Sequence, residues 1–167
     1  MFLKNKTFSF SIVILLTLLS CDKDRVYDQY ANLDGAWKAN EAFVFEYESK
    51  DTLTPYNYFI NMRVSNDFPF NNLFLIVETE TPSKDIQVDT LEYAMTKPTG
   101  ELLGKGISDI KESKLWFKEN EPLKEMGKYT FKIYQAVRET GKVKGVQELE
   151  GVSEVGFRIE KLSQNEQ

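Results

Sequence analysis

Chemistry in this chain gathers on one atom, the thiol of Cys21. It stands directly behind Leu18-Leu19-Ser20, and the uncharged apolar run from Phe8 to Leu19 follows the positive pair Lys4 and Lys6. Positive, then apolar, then small is the order of a secretory signal peptide. A run of about a dozen residues is too short to cross a bilayer of about 30 Å as a helix. A cysteine in this position has the form of a bacterial lipobox, in which the thiol takes a diacylglycerol before the chain is cut in front of it. Each buried acyl CH₂ contributes about 0.8 kcal/mol, so several chains hold a protein on a membrane where one would not. The expectation is a signal peptide over residues 1–20 and a mature protein anchored to the membrane through lipidated Cys21. The competing reading is a plain signal peptide with a chance cysteine, or a lone buried thiol. Cys21 is the only cysteine in the chain, so nothing is left to form a disulfide.

Little other chemistry offers itself. The chain has no histidine, which removes the commonest general base and most transition-metal sites. No serine sits in a Gly-x-Ser-x-Gly elbow, and Gly104-Lys105-Gly106 lacks the Gly-Lys-Ser/Thr ending of a phosphate loop. Paired carboxylates can hydrolyse glycosides, but alternation puts Glu46, Glu48, Glu78 and Glu80 on solvated strand faces. Calcium needs clustered oxygens; Asp22/Asp24 and Asn66/Asp67/Asn71/Asn72 are the candidates, without an Asp-x-Asp-x-Asp-Gly frame. The expectation is therefore no catalytic residue, no metal site and no cofactor. Loss of residues 1–20 leaves 19 basic residues against 26 acidic ones. A surface with that balance repels nucleic acid and anionic lipid.

Past the anchor, the hydrophobic pattern is that of strands. Residues 21–40 carry scattered apolar side chains with no clean period, which predicts a lipid anchor and tether. From residue 41 to 162 period-two alternation recurs: Phe43/Phe45/Tyr47, then Tyr56/Tyr58/Ile60/Met62/Val64, then Tyr129/Phe131/Ile133 and Val155/Phe157/Ile159. Leu73 to Val77 is apolar throughout, as expected of a central strand covered on both faces. Ile86 and Val88 fall out of step with Leu91, Tyr93 and Met95, which predicts a bulge near Asp89-Thr90. Leu115-Trp116-Phe117 reads as a short strand. Ala136 to Leu149 reads as a loop, because Gly141 and Gly145 would each cost a helix about 1 kcal/mol. Ser163 to Gln167 reads as a polar tail. Seven or eight strands and no helix after the signal predict an all-β antiparallel β-sandwich, jelly-roll or immunoglobulin-like.

Four aromatics, Phe59, Phe74, Trp116 and Tyr134, stand opposite the main apolar face of their strands. Exposed together they would form a contact patch for a partner or a sugar ring; covered by loops or the other sheet they would be ordinary packing, the preferred reading.

Taken in order, several segments resemble one family. They are the Leu-Leu-Ser-Cys box, Asp67-Phe68-Pro69-Phe70-Asn71-Asn72-Leu73, Asp89-Thr90-Leu91, the loop from Gly100 through Leu103-Gly104-Lys105-Gly106, Gly127-Lys128-Tyr129-Thr130-Phe131 with Gln135, and Val155-Gly156-Phe157-Arg158-Ile159-Glu160-Lys161. Together they resemble the GldH family of gliding-motility lipoproteins of Bacteroidetes-type bacteria. The resemblance implies a non-enzymatic lipoprotein required for movement over surfaces, working by protein contacts in machinery linked to type IX secretion. Its partners would be other gliding or secretion proteins of the envelope. The one functional residue it carries over is the lipidated cysteine, onto Cys21. Outer membrane facing the periplasm is the expected location; Asp22-Lys23-Asp24 loosely matches an export signal and leaves the cell surface open. The alternative function is a carbohydrate-binding surface lipoprotein.

Overall fold

A computed structural model describes residues 23–106, 109–139 and 141–162. The expected signal peptide (1–20), Cys21, Asp22 and the tail from 163 to 167 lie outside the described residues. Eight long strands carry the fold: β1 (Arg25–Asn32), β3 (Phe43–Ser49), β4 (Pro55–Ser65), β5 (Asn72–Glu80), β6 (Ile86–Ala94), β7 (Ile110–Pro122), β8 (Gly127–Gln135) and β10 (Val152–Lys161). Two short ones, β2 (Trp37–Lys38) and β9 (Glu148–Leu149), pair with each other. No helix occurs among the described residues.

The pairing is nested. β5 pairs with the next strand β6, β4 with β7, β3 with β8, and β1 with β10, all antiparallel. Folding this nest over on itself gives two four-stranded sheets, β1-β10-β4-β7 and β3-β8-β5-β6. That is the connectivity of a jelly roll, which decides between the two sandwiches the strand pattern allowed.

Alternation explains the core. Tyr58, Ile60, Met62 and Val64 of β4 and Val155, Phe157 and Ile159 of β10 face Phe43, Phe45, Leu73, Leu75, Val77, Phe131 and Ile133 of the second sheet, all buried. Phe157 ties the layers together, its ring 4.3 Å from Phe131 and 5.9 Å from Phe45. Aromatic pairs at such distances add about 0.5–1.5 kcal/mol beyond the area they bury.

Four local expectations are corrected. Residues 25–32, read within the tether, form an edge strand with regular partners from Tyr27↔Ile159 to Asn32↔Glu154. Their side chains are only half-buried, so the hydrophobic signal was weak while the backbone pairing is complete. β6 runs unbroken from Ile86↔Glu80 to Asn72↔Ala94, without a bulge. The phase change is met instead by leaving Ile86 and Val88 on the solvent face, 60% and 58% exposed. β5 is an interior strand, but within its apolar run only Leu73, Leu75 and Val77 are buried, while Phe74 and Ile76 are half-covered on the outer face. β7 is long, because its edge position lets charged residues flank the apolar Leu115-Trp116-Phe117 segment. The loop reading after Ala136 matches the structure: a bridge between Arg138 and Gly145 and the two-residue β9 are its only regular pairings among the described residues.

Candidate functional site

The outer face of the β1-β10-β4-β7 sheet is built from the strand positions that alternation turns away from the core: Asn57, Phe59, Asn61 and Arg63 of β4, with Glu112, Lys114 and Trp116 opposite them on β7. On the other flank stand Asp28 and Tyr30 of β1, facing Arg158 and Gly156 of β10. A solvent-facing sheet usually leaves such side chains loose. Here they close over one another.

Tyr30 lies over Gly156, where a β-carbon would stand 2.8 Å from its ring atoms. The missing side chain lets the ring reach the middle of the sheet. Its hydroxyl accepts from the Asn61 amide at 2.9 Å and donates to Glu112 at 3.1 Å. Arg63 donates to the same Glu112 at 2.6 Å and also to Glu154, and its guanidinium lies 4.7 Å from the Tyr30 ring centre. Burial, and then the Glu112 charge, push the Tyr30 hydroxyl up to about 12. Asn61 is only 2% exposed, and among the described residues its side-chain carbonyl oxygen has no partner. Beside this group, Arg158 pairs with Asp28 at 2.8 Å and with Glu160, and Lys114 reaches Glu160 at 2.7 Å.

The network frames an aromatic step. Phe59 is on the outer face yet buried, because Trp116 packs on it with ring centres 4.4 Å apart and Lys114 Nζ sits 3.8 Å above it. Trp116 itself is 50% exposed. The β7 backbone beneath it is tied to the other sheet, since the Tyr93 hydroxyl donates to the Trp116 main-chain carbonyl at 2.5 Å. A half-open tryptophan inside a ring of fixed charges has the composition of an interface hot spot.

The four outward aromatics do not come together. Phe59 and Trp116 share this face, whereas Phe74 and Tyr134 lie on the outer face of β3-β8-β5-β6, because nesting sends β5 and β8 to the other sheet. Glu46, Glu48, Glu78 and Glu80 line that second face, with ion pairs Glu46–Lys128 at 2.9 Å and Glu80–Lys84 at 2.6 Å. The asparagine-rich turn does not converge: Asn66 turns to Asp109, Asp67 to Ser65, Asn71 to Thr96 and Asn72 to Glu92. Among the described residues no three acidic side chains gather as a metal would need. Cys21 falls outside the described residues.

The model of the GldH lipoprotein family matches residues 25–159. The gliding motility lipoprotein GldH of Flavobacterium johnsoniae is 51% identical over 149 residues, covering 89% of this chain and 92% of the relative. A GldH homolog from Christiangramia forsetii is 51% identical over 156 residues, 92% of this chain and 96% of the relative. The chain belongs to the GldH lipoprotein family. GldH proteins are named as lipoproteins of gliding motility, not as enzymes, and membership supports a role in gliding and a lipid-anchored place in the cell envelope. Among solved structures, a family GH115 4-O-methyl-α-glucuronidase is similar with a TM-score of 0.43 at 12% identity, over 86% of this chain and 18% of that one. The VP2 subviral particle of infectious bursal disease virus is similar with a TM-score of 0.37 at 14% identity, over 84% of this chain and 33% of that one.

Sequence reasoning missed Tyr30, Asn61, Arg63 and Glu112 as a unit. The available signal was Gly156, a lone glycine inside a strand pattern, which marks a close approach by another group. In this GldH-family chain the approaching group is Tyr30.

Proposed function

We propose that this chain is a non-enzymatic component of the gliding machinery, linked to type IX secretion and acting by protein contacts. It is anchored through acylated Cys21 in the outer membrane, facing the periplasm. The observation that carries the contact reading is Trp116, half-exposed on a rigid step of Phe59 and Lys114 within a closed polar network. Preorganised aromatic anchors of this kind supply most of the energy of an interface while the surrounding polar groups exclude water. The test is a crosslinking pull-down from intact cells at native protein level. Recovery of motility or secretion components, lost with Trp116→Ala at equal abundance, supports the reading. Normal movement of cells carrying Cys21→Ala at equal abundance refutes the anchored role.

The same indole is the specific observation behind a second reading, carbohydrate binding, since an exposed ring can stack on a sugar. Glycan-array binding abolished by Trp116→Ala, with no envelope protein recovered, would favour it.

A further inference from the structure

The nesting of the strands collects three loops at one end of the sandwich. β1 starts there, because Arg25 pairs with Glu160 near the end of β10, and Tyr56 near the start of β4 pairs with Lys161. The β3–β4 turn (50–54), the β5–β6 turn (81–85) and the β7–β8 turn (123–126) all close at this end, since Ser49 pairs with Gly127 and Glu80 with Thr130. The Tyr27–Tyr47 ring contact, 5.7 Å between centres, draws β3 alongside β1.

Two of these turns carry an exposed apolar tip, Leu53 at 86% and Met126 at 70%. Both turns are fixed by carboxylates that bond within or between them. Asp51 accepts from the Leu53 amide at 2.8 Å and from the backbone and hydroxyl of Thr54. Glu125 accepts from the Ser83 amide and hydroxyl, each at 2.9 Å, latching the second turn to the third. The donors keep Asp51 ionised, and both carboxylates fix the loops that carry the apolar tips.

We propose that this end is a membrane-contact surface, with Leu53 and Met126 entering the interfacial layer of the bilayer in which the chain is anchored. The proposal rests on Cys21 being the acylated residue. Four residues of extended chain from Cys21 to Arg25 reach at most about 14 Å, so the end where β1 starts must stay near the headgroups. The opposite end, where Val143 is 89% exposed, lies a strand length away, on the order of 35 Å for the 11 residues of β4. Cations and acids are mixed at the anchored end, with Lys84 already paired to Glu80. The contact is therefore apolar rather than electrostatic, and it fixes which way the Trp116 face looks along the membrane.

The test uses the full acylated protein in phosphatidylcholine vesicles, with an environment-sensitive fluorophore on Leu53→Cys, Met126→Cys or Val143→Cys. With acylated Cys21 blocked, the introduced thiol alone reacts. Quenching by doxyl-labelled lipid should be about threefold greater at 53 and 126 than at 143, with the reverse order for aqueous iodide. Mixing anionic lipid into the vesicles should alter the ratio less than about twofold. The mass of the N-terminal peptide separates the two ways of failing. Acylated protein whose three labels are equally open to iodide overturns the contact alone; a bare Cys21 overturns the anchor reading and the contact with it.

Discussion

Tyr30 of the first long strand lies across Gly156 of the last, its ring atoms 2.8 Å from where a β-carbon would point. A methyl group there must displace the ring or bend β10. Gly156→Ala is expected to destabilise the domain by about 1–3 kcal/mol, the usual cost of overpacking, measured by denaturant midpoint. If the midpoint does not move, the ring is not seated as described.

Among the described residues, the Tyr30 hydroxyl is the one hydrogen-bond partner of the Asn61 amide nitrogen, in a side chain only 2% exposed. Tyr30→Phe leaves that amide unpaired and is expected to cost about 1–3 kcal/mol. Asn61→Leu in the same background should recover part of the loss, because it removes the unpaired groups. A double-mutant cycle reads the coupling.

Alkaline pH should act through the same ring. Burial holds the folded Tyr30 hydroxyl up to about 12, above its ordinary value of 10.0; Tyr93 is raised likewise to about 12 by burial. The folded state keeps these protons where the unfolded chain has released them. Their contribution is complete below about pH 10 and is lost as pH rises toward 12. Unfolding free energy measured across that window should fall, and less steeply in Tyr30→Phe.

Phe59 and Trp116 should separate stability from contact. Phe59 is 3% exposed, so Phe59→Ala is expected to cost about 3 kcal/mol or more. Half-exposed Trp116 should cost much less to truncate, about 1 kcal/mol, while removing partner recovery. Thermal unfolding beside the crosslinking yield checks the split.

Gln135 explains itself through the loop that follows. Its carbonyl accepts from the Val137 amide at 3.0 Å and its amide donates to the Val146 carbonyl at 2.8 Å, in a site 3% exposed. Gln135→Leu strands both backbone groups and should cost about 2 kcal/mol or more. Limited proteolysis near Lys142 and Lys144 should quicken in the variant.

The regular part of the fold was open to a reader of the chain because burial has a period. Phe43/Phe45, Tyr58/Ile60/Met62 and Phe157/Ile159 each announce which face they bury, and the absence of histidine and of spare thiols bounds the chemistry. Where one face is only half-buried, the signal thins: β1 has the pattern of a tether, and the misphased Ile86 and Val88 suggest a bulge that the sheet does not need. A strand can be held by its backbone bonds alone, and those leave no mark on residue type.

The residue types along the chain by themselves determined the alternation, the all-β class and the expectation of an anchor at Cys21. Which strands become neighbours was decided only by the tertiary structure. Pairing joins β1 to β10 and β4 to β7 across distances along the chain that no local pattern encodes. That nesting alone sets Tyr30 over Gly156 and Trp116 on Phe59, and brings the turns of Leu53 and Met126 to the end where β1 starts.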